Sequence, residues 1–202
     1  MVCAPLTALA ADVPLPDLKI DPKVGGSVFV VRNTASQPLT AFLIELVDYP
    51  GSNYFYWQDI PTAPVAAGAT LEIQTTNMTV GAVPDYVKMR AAVYADGSTA
   101  GVPARVTLLL GRRKALLETT REAIRRIEKA GSAEAARADL TQWSSGMTPV
   151  PRNQRFAAAG VNQTAAQQLI GETVRSLTGD TASVLARLRA SEAQLAAAKP
   201  AL

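Results

Sequence analysis

The sequence changes character near residue 102, and this change limits the folds that are open to the chain. Before it, short runs rich in β-branched residues are separated by glycine and proline, as at 26–31. After it, long stretches of Ala, Leu, Arg, Glu and Gln repeat their apolar positions every three or four residues. Alternating short runs are typical of strands, and the longer spacing is typical of helices. We therefore predict an α+β protein, with an antiparallel β-sandwich at 18–101 and a helical region at 102–202.

The composition narrows the chemistry that the chain can perform. Its 202 residues suffice for one large or two small domains, and 48% of them are hydrophobic, which is enough for a buried core. The chain has no His, so the commonest general base and the commonest metal ligand are missing. Its only cysteine is Cys3, which excludes a disulfide within the chain and a Cys-based metal site. We predict a protein without cofactor, without metal and without enzymatic activity.

The first half is predicted to hold six strands separated by turn residues. They are expected at 18–20, 27–33, 39–48, 54–60, 70–75 and 87–95. In the longest of these runs, Phe42, Ile44 and Leu46 share one face, while Leu43 and Glu45 share the other. Short strands at nearly regular spacing are typical of a sandwich of two sheets.

Two local patterns in this half are similar to those of a known class of modules. Residues 30–33 have the sequence Val-Val-Arg-Asn, and residues 96–98 have the sequence Asp-Gly-Ser after a late strand. With the proline-containing turn between the first strands, they resemble immunoglobulin-like modules of exported bacterial proteins. The resemblance covers about residues 18–100 and lacks the cysteine pair of antibody domains. It implies a scaffold of two packed sheets and no particular activity.

A long helix is predicted after residue 102. Pro103 suits a first helical turn and Gly131 suits the end of the helix. Between them Arg113 interrupts an apolar stripe that is formed by Val106, Leu110, Leu117, Thr120, Ile124 and Ile127. Because Gly111 disfavours a helix interior, residues 106–110 are alternatively a last strand, with the helix beginning after them.

Two more helices follow in the prediction. The first is short, at 133–143, and the second begins near Asn162 or Thr164. The stripe of the second consists of Ile170, Val174, Leu177, Thr181, Val184, Leu188 and Leu195. It either runs through Gly179 and Asp180 or breaks there. The long helices suggest a helical hairpin, whose apolar seams are buried within the chain or face another subunit.

An aromatic segment at 49–57 is the candidate ligand-binding site. It holds five of the eleven aromatic residues, with polar neighbours at Asp48, Asn53, Gln58 and Asp59. Aromatic faces beside amides and carboxylates suit the recognition of a glycan or a peptide, and we assign this role to Tyr49, Tyr54, Tyr56 and Trp57. In the alternative interpretation Phe55 and Trp57 belong to the sandwich core, and Tyr54 and Tyr56 lie on the outer face.

The N-terminal segment indicates export. Residues 1–17 are mostly apolar, and residues 8–10 read Ala-Leu-Ala, a pattern that signal peptidases cleave. We interpret the segment as the remnant of a signal peptide, with the mature protein beginning near Ala11; the alternative is an ordinary flexible N-terminal tail. The predicted location is therefore the periplasm or the exterior of a bacterium. No apolar run approaches about 18 residues, so no transmembrane segment is predicted.

These observations together favour an interaction protein. The net charge is only +3, and the basic residues of the long helix alternate with Glu118, Glu122 and Glu128, so nucleic-acid binding is not expected. We expect a non-enzymatic structural protein that acts through contacts with a protein partner or with itself. The alternative is a glycan- or peptide-binding module that uses the aromatic segment.

Overall fold

The computed structural model describes residues 13–23, 26–47, 53–60, 63–76, 87–151 and 154–202, and it describes only the backbone of residues 47, 53–57 and 76. Within these ranges the chain forms strands and then helices, which confirms the predicted α+β class. The strands are β1 (Asp17–Lys23), β2 (Gly26–Arg32), β3 (Leu39–Val47), β4 (Asn53–Asp59), β5 (Thr70–Thr76), β6 (Val87–Tyr94) and β7 (Thr99–Gly101). The helices are α1 (Pro103–Ala130), α2 (Ala133–Ser145), α3 (Ala158–Ser176) and α4 (Thr181–Ala197).

The strands form two antiparallel sheets that share one core. The three-stranded sheet has the order β1-β2-β5 and the four-stranded sheet has the order β4-β3-β6-β7. Phe29 and Val31 of the first sheet pack against Phe42, Ile44 and Tyr94 of the second, and all five side chains are fully buried. The two sheets are therefore the layers of a sandwich.

The alternation predicted for β3 places its two faces in different cores. Phe42 and Ile44 point into the sandwich, whereas Leu43 packs with Leu109 of α1 on the outer face of the same sheet. Both faces of a strand are covered when a helix lies on one side of its sheet and a second sheet lies on the other. The helical region is therefore packed on the sandwich.

The structure decides between the two predicted starts of the long helix. Residues 106–110 are helical, so the last-strand interpretation is wrong, and α1 begins at Pro103 as the first alternative predicted. A three-residue strand, β7, precedes the helix and was not predicted. Gly101 ends β7 with φ +105°, a conformation that turns the chain from the sheet into the helix.

The remaining helices pack on α1 and bury the predicted stripes inside the chain. Both α3 and α4 lie against α1. Ile124, Ile170 and Leu188 are among the residues of their shared core. The long second stripe is broken into two helices, because the side chain of Asp180 accepts hydrogen bonds from the first backbone N–H groups of α4. The predicted start of the third helix was too late, since α3 begins at Ala158.

Tyr94 links the N-terminal segment to the core, and its replacement by phenylalanine is expected to change the response of stability to pH. Its hydroxyl donates a hydrogen bond to the Pro14 carbonyl, and burial raises its pKa from 10.0 to about 12. Because the folded state holds the hydroxyl proton more tightly than the unfolded state, the contribution of Tyr94 to the free energy of unfolding is complete below pH 10. This contribution is lost as the pH rises from 10 toward 12. Because Tyr94→Phe removes the hydrogen bond to Pro14, it should lower the free energy of unfolding by about 1 kcal/mol at neutral pH.

Urea unfolding of both proteins at neutral pH and above pH 10 tests this. The wild type should lose stability at the higher pH and approach the variant, because phenylalanine does not ionise. The other tyrosines are present in both proteins, so their ionisation affects both stabilities equally. A stability difference that is equal at both pH values would contradict the assignment.

Candidate functional site

The aromatic segment lies mainly on β4, an outer strand of the four-stranded sheet. Tyr54, Tyr56 and Trp57 are part of this strand, and their backbones pair with Leu46, Ile44 and Leu43 in that order. Tyr49 lies outside the described residues, and the side chains of the other three lie outside the description as well. Their assignment to a ligand site therefore stays a prediction, as does the alternative that divides them between core and surface.

The backbone of β4 has one side paired and one side open. The N–H of Ile60 donates to the Thr40 carbonyl at 2.7 Å, one step beyond the strand register. Bonded and non-bonded pairs alternate along antiparallel strands, so the even-numbered residues of β4 bond to β3. The backbone N–H and C=O groups of Phe55 and Trp57 point the other way. No strand in the described ranges pairs with them.

The other edge strands carry features that discourage pairing with a further strand. β1 contains Lys19, Pro22 and Lys23, β5 exposes Glu72, and β7 is only three residues long. Edge prolines, charged side chains and short length are the usual means by which proteins protect an open edge. β4 has seven residues, four of them aromatic, and its one charged side chain, Asp59, is buried against Arg113 rather than exposed. It is therefore the edge with the fewest protective features.

A polar groove begins where β4 ends. Its volume is about 400 Å³, and its lining residues come from the end of β4 and from α1, α3 and α4. We call it the three-helix groove and define it by its lining residues: Gln58, Asp59, Arg112, Leu116, Thr120, Ala165, Gln168, Leu169, Glu172, Ser191, Gln194 and Leu195. Arg112, Leu116 and Thr120 are four residues apart and lie on one stripe of α1. The groove thus follows α1 for about 12 Å.

A buried ion pair holds the β4 end of the groove. The side chain of Arg113 is fully buried and donates to both carboxylate oxygens of Asp59, at 2.8 and 2.9 Å. It also donates to the Lys199 carbonyl at 2.9 Å, which ties the C-terminal residues to α1. A charge-assisted pair with two parallel bonds is among the strongest side-chain contacts in proteins. The pair fixes β4, α1 and the end of the chain relative to one another.

Arg112 is the second guanidinium at this end. It is partly buried, and this burial lowers its pKa, while the charge of Asp59 acts in the opposite direction. The only other ionisable lining residue is Glu172, which is exposed on α3. The groove thus has a partly buried guanidinium at its β4 end and an exposed carboxylate on α3.

Two buried carboxylates are paired with arginine side chains. Glu45 bonds to Arg90 at 2.7 Å and to Arg105 at 2.8 Å, as Asp59 bonds to Arg113. The pairs Glu45–Arg105 and Asp59–Arg113 join the four-stranded sheet to α1.

No pattern in the sequence predicts the groove. The spacing of apolar residues in the long helix does identify Arg113 as the one interruption of a stripe. A charged residue within an apolar stripe indicates a buried charge that needs a partner. Its partner Asp59 was named only as a polar neighbour of the aromatic segment. The groove glutamines lie on three separate elements, and nothing local distinguishes them from solvated helix residues.

The described residues contain no cluster of three or more Cys, Asp and Glu side chains that is arranged to hold a metal ion. No helix among the described residues combines the length and the apolar character that crossing a bilayer requires.

Comparison of the chain with protein-family models, with curated proteins and with solved structures returned no match.

Proposed function

We propose that the chain is a non-enzymatic interaction module of an exported bacterial protein, which binds an extended segment of another polypeptide along β4. The observation that carries the proposal is the open side of this strand, with the N–H and C=O groups of Phe55 and Trp57 directed outward. An extended peptide completes the hydrogen bonds of such an edge, and side-chain pockets then provide specificity. Export is supported by the sequence at 8–10.

The packing of the helices favours this edge over a helical interface. The apolar stripes of α1, α3 and α4 are largely buried against one another. Among the described residues the exposed large hydrophobic side chains are Val102 and Leu202 alone. Stable protein interfaces need an apolar centre, which the described helix surfaces do not offer. Self-association, the second form of the proposal, would therefore pair β4 with β4 of another copy.

The aromatic composition of β4 supports the same function. Aromatic side chains contribute large contact areas at interfaces and pair well across neighbouring strands. The alternative, in which Tyr49, Tyr54, Tyr56 and Trp57 bind a glycan, depends on their ring faces rather than on the backbone. The two proposals therefore respond differently to a change that removes one backbone donor.

Replacing Phe55 by proline is expected to abolish peptide binding, because proline removes one outward N–H without removing a bond to β3. The control is Phe55→Val, which also removes the ring but keeps the N–H and the preference for a strand. Peptides would be selected from a displayed random library on the wild type and then titrated on both variants. We expect the proline variant to bind at least about tenfold more weakly than the valine variant.

Three outcomes bear on the proposal. If no peptide is enriched, or if both variants bind equally, strand addition at β4 is wrong. If light scattering shows an increase of mass with concentration that Phe55→Pro prevents, the partner is a second copy of the chain. If Tyr54→Ala and Tyr56→Ala abolish retention on a polysaccharide array while Phe55→Pro does not, the glycan alternative is correct.

A further inference from the structure

We propose that two copies of the chain exchange α4, with α3 and α4 of each copy joined into one straight helix. In the exchanged dimer, α4 of the second copy packs on α1 in the place that the copy's own α4 occupies in the single chain. The inference is independent of strand addition at β4, because it uses only the contacts between helices.

The stripe along α3 and α4 has one uninterrupted spacing. From Ile170 to Leu188 its positions are separated by four and three residues in strict alternation. This spacing continues unchanged across residues 177–180, which separate the two helices. A loop between two helices does not require a common register, whereas a continuous helix with one apolar seam does. Joined in this way, residues 158–197 would form a helix of about 60 Å.

The segment between the two helices is free to change conformation. Thr178, Gly179 and Asp180 are exposed, and no described atom lies within 4 Å of a Cβ added to Gly179. The φ of Gly179 lies outside the left-handed range, so its backbone is open to residues other than glycine. The segment therefore straightens without displacing a buried side chain of these three residues.

Side chains replace some of the helical hydrogen bonds that are lost at the break. Asp180 accepts bonds from the N–H groups of Ala182 and Ser183, at 2.8 and 3.1 Å. Arg137 donates to the Leu177 carbonyl at 2.8 Å. A straight helix would pair these backbone groups with one another, together with the others at the two helix ends. The straight form therefore gains main-chain bonds, but it needs a second copy, so the balance depends on protein concentration.

The contacts that hold α4 are contacts with α1. In the described ranges α4 packs along α1, and no other element packs along it to a comparable extent. Its buried side chains, Val184 and Leu188, share a core with Ile124 of α1. Because α1 is identical in every copy, α4 of a second chain makes the same contacts. Exchange thus requires no exposed apolar surface, and it is a low-cost route to a dimer.

Gly179→Ala is expected to raise the dimer association constant by at least about tenfold, because alanine favours a helix over glycine at both hinges of the dimer. The matched control is Gly171→Ala. Residue 171 is helical in both forms, and its added Cβ meets only the end of a flexible side chain at an ordinary distance, so this change should leave the constant unaltered. Each protein is unfolded in urea and refolded at low and high concentration, and light scattering after size-exclusion chromatography gives its mass.

Thr181→Pro is expected to abolish the dimer and keep the monomer. Thr181 is the first residue of α4, a position that accepts proline, and Asp180 before it is extended, with φ −103° and ψ 112°. In a straight helix the same proline would lie in the interior, where it removes a main-chain bond and collides with the preceding turn. The melting temperature of the monomer shows whether the variant is folded.

Exchange also determines which charges meet between two copies. The guanidinium of Arg121 lies 2.9 Å from the carboxylate of Glu192, and that of Arg189 lies 2.6 Å from Glu128, in each case between α1 and α4. One variant combines Arg121→Glu with Glu128→Arg, and the other combines Arg189→Glu with Glu192→Arg. Each variant alone brings like charges together, whereas a mixed dimer with exchanged α4 restores every pair. Refolding the two together should therefore give mixed dimers in excess of the statistical share.

The inference is overturned if Gly179→Ala stays monomeric at high concentration, if Gly171→Ala has the same effect as Gly179→Ala, or if the charge variants show no preference for the mixed dimer. Its failure is distinct from failure of the proposed function. A dimer that Phe55→Pro prevents and Thr181→Pro does not is formed through β4, so exchange of α4 is wrong. Peptide binding that is indifferent to Phe55→Pro contradicts the β4 proposal alone.

Discussion

Asp59→Asn is expected to destabilise the protein by about 3–5 kcal/mol. The substitution keeps the shape of the side chain but removes its charge, so the fully buried guanidinium of Arg113 loses its counter-ion. The Lys199 carbonyl and the amide oxygen of the new side chain are acceptors without a full charge, so they do not replace the carboxylate. The loss should appear as a lower urea midpoint in equilibrium unfolding with an unchanged slope.

The matched control is Asp21→Asn, the same change in an ion pair at the surface. Asp21 lies 2.9 Å from Lys19, and the two side chains are exposed by 39% and 75%. Water screens such a pair, so its loss should leave the urea midpoint almost unchanged. Equal effects of the two substitutions would show that Asp59 is not a buried partner of Arg113.

Removing both charges separates the ion pair from its packing. The double variant Asp59→Leu with Arg113→Met has no buried charge and similar side-chain volume, so it should recover most of the stability that Asp59→Asn loses. A double variant as unstable as the single one would mean that shape, and not charge, is the main contribution at this position.

Gly101→Ala is expected to cost at least about 3 kcal/mol. Gly101 has φ +105°, and an added Cβ would lie 2.2 Å from the Arg90 carbonyl oxygen. That oxygen accepts the N–H of Val102 at 2.8 Å, and it belongs to the backbone of β6, which has little freedom to move. The substitution therefore combines an unfavourable backbone conformation with a collision at the strand-to-helix transition.

Gly131→Ala is the control that has the unfavourable backbone conformation without the collision. Gly131 ends α1 with φ +73°, and no atom lies within 4 Å of its added Cβ. Its replacement should cost only about 1–2 kcal/mol, the usual penalty for a left-handed alanine. Urea unfolding of the two variants measures the difference. If Gly101→Ala is no worse than Gly131→Ala, the close approach of β7 to β6 is not as described.

The elements that were predicted correctly are those whose causes lie close together in the sequence. Alternation within β3, the proline at the start of α1 and the glycine at its end each depend on residues a few positions apart. β7 was missed because three residues are too few to show a period. The early start of α3 was missed because its first turn contains Ala and Gly without a side-chain cap.

The sequence by itself determined the order of strands and helices and showed that Arg113 is an exception in an apolar stripe. Only the tertiary structure decided that the stripes are buried within the chain, that one side of β4 has no partner strand among the described residues, and that Asp59 and Arg113 meet. These last features join residues that are distant along the chain, such as two charges 54 positions apart. Local periodicity reports which face of an element is apolar, but the partner of that face depends on how all the elements pack together.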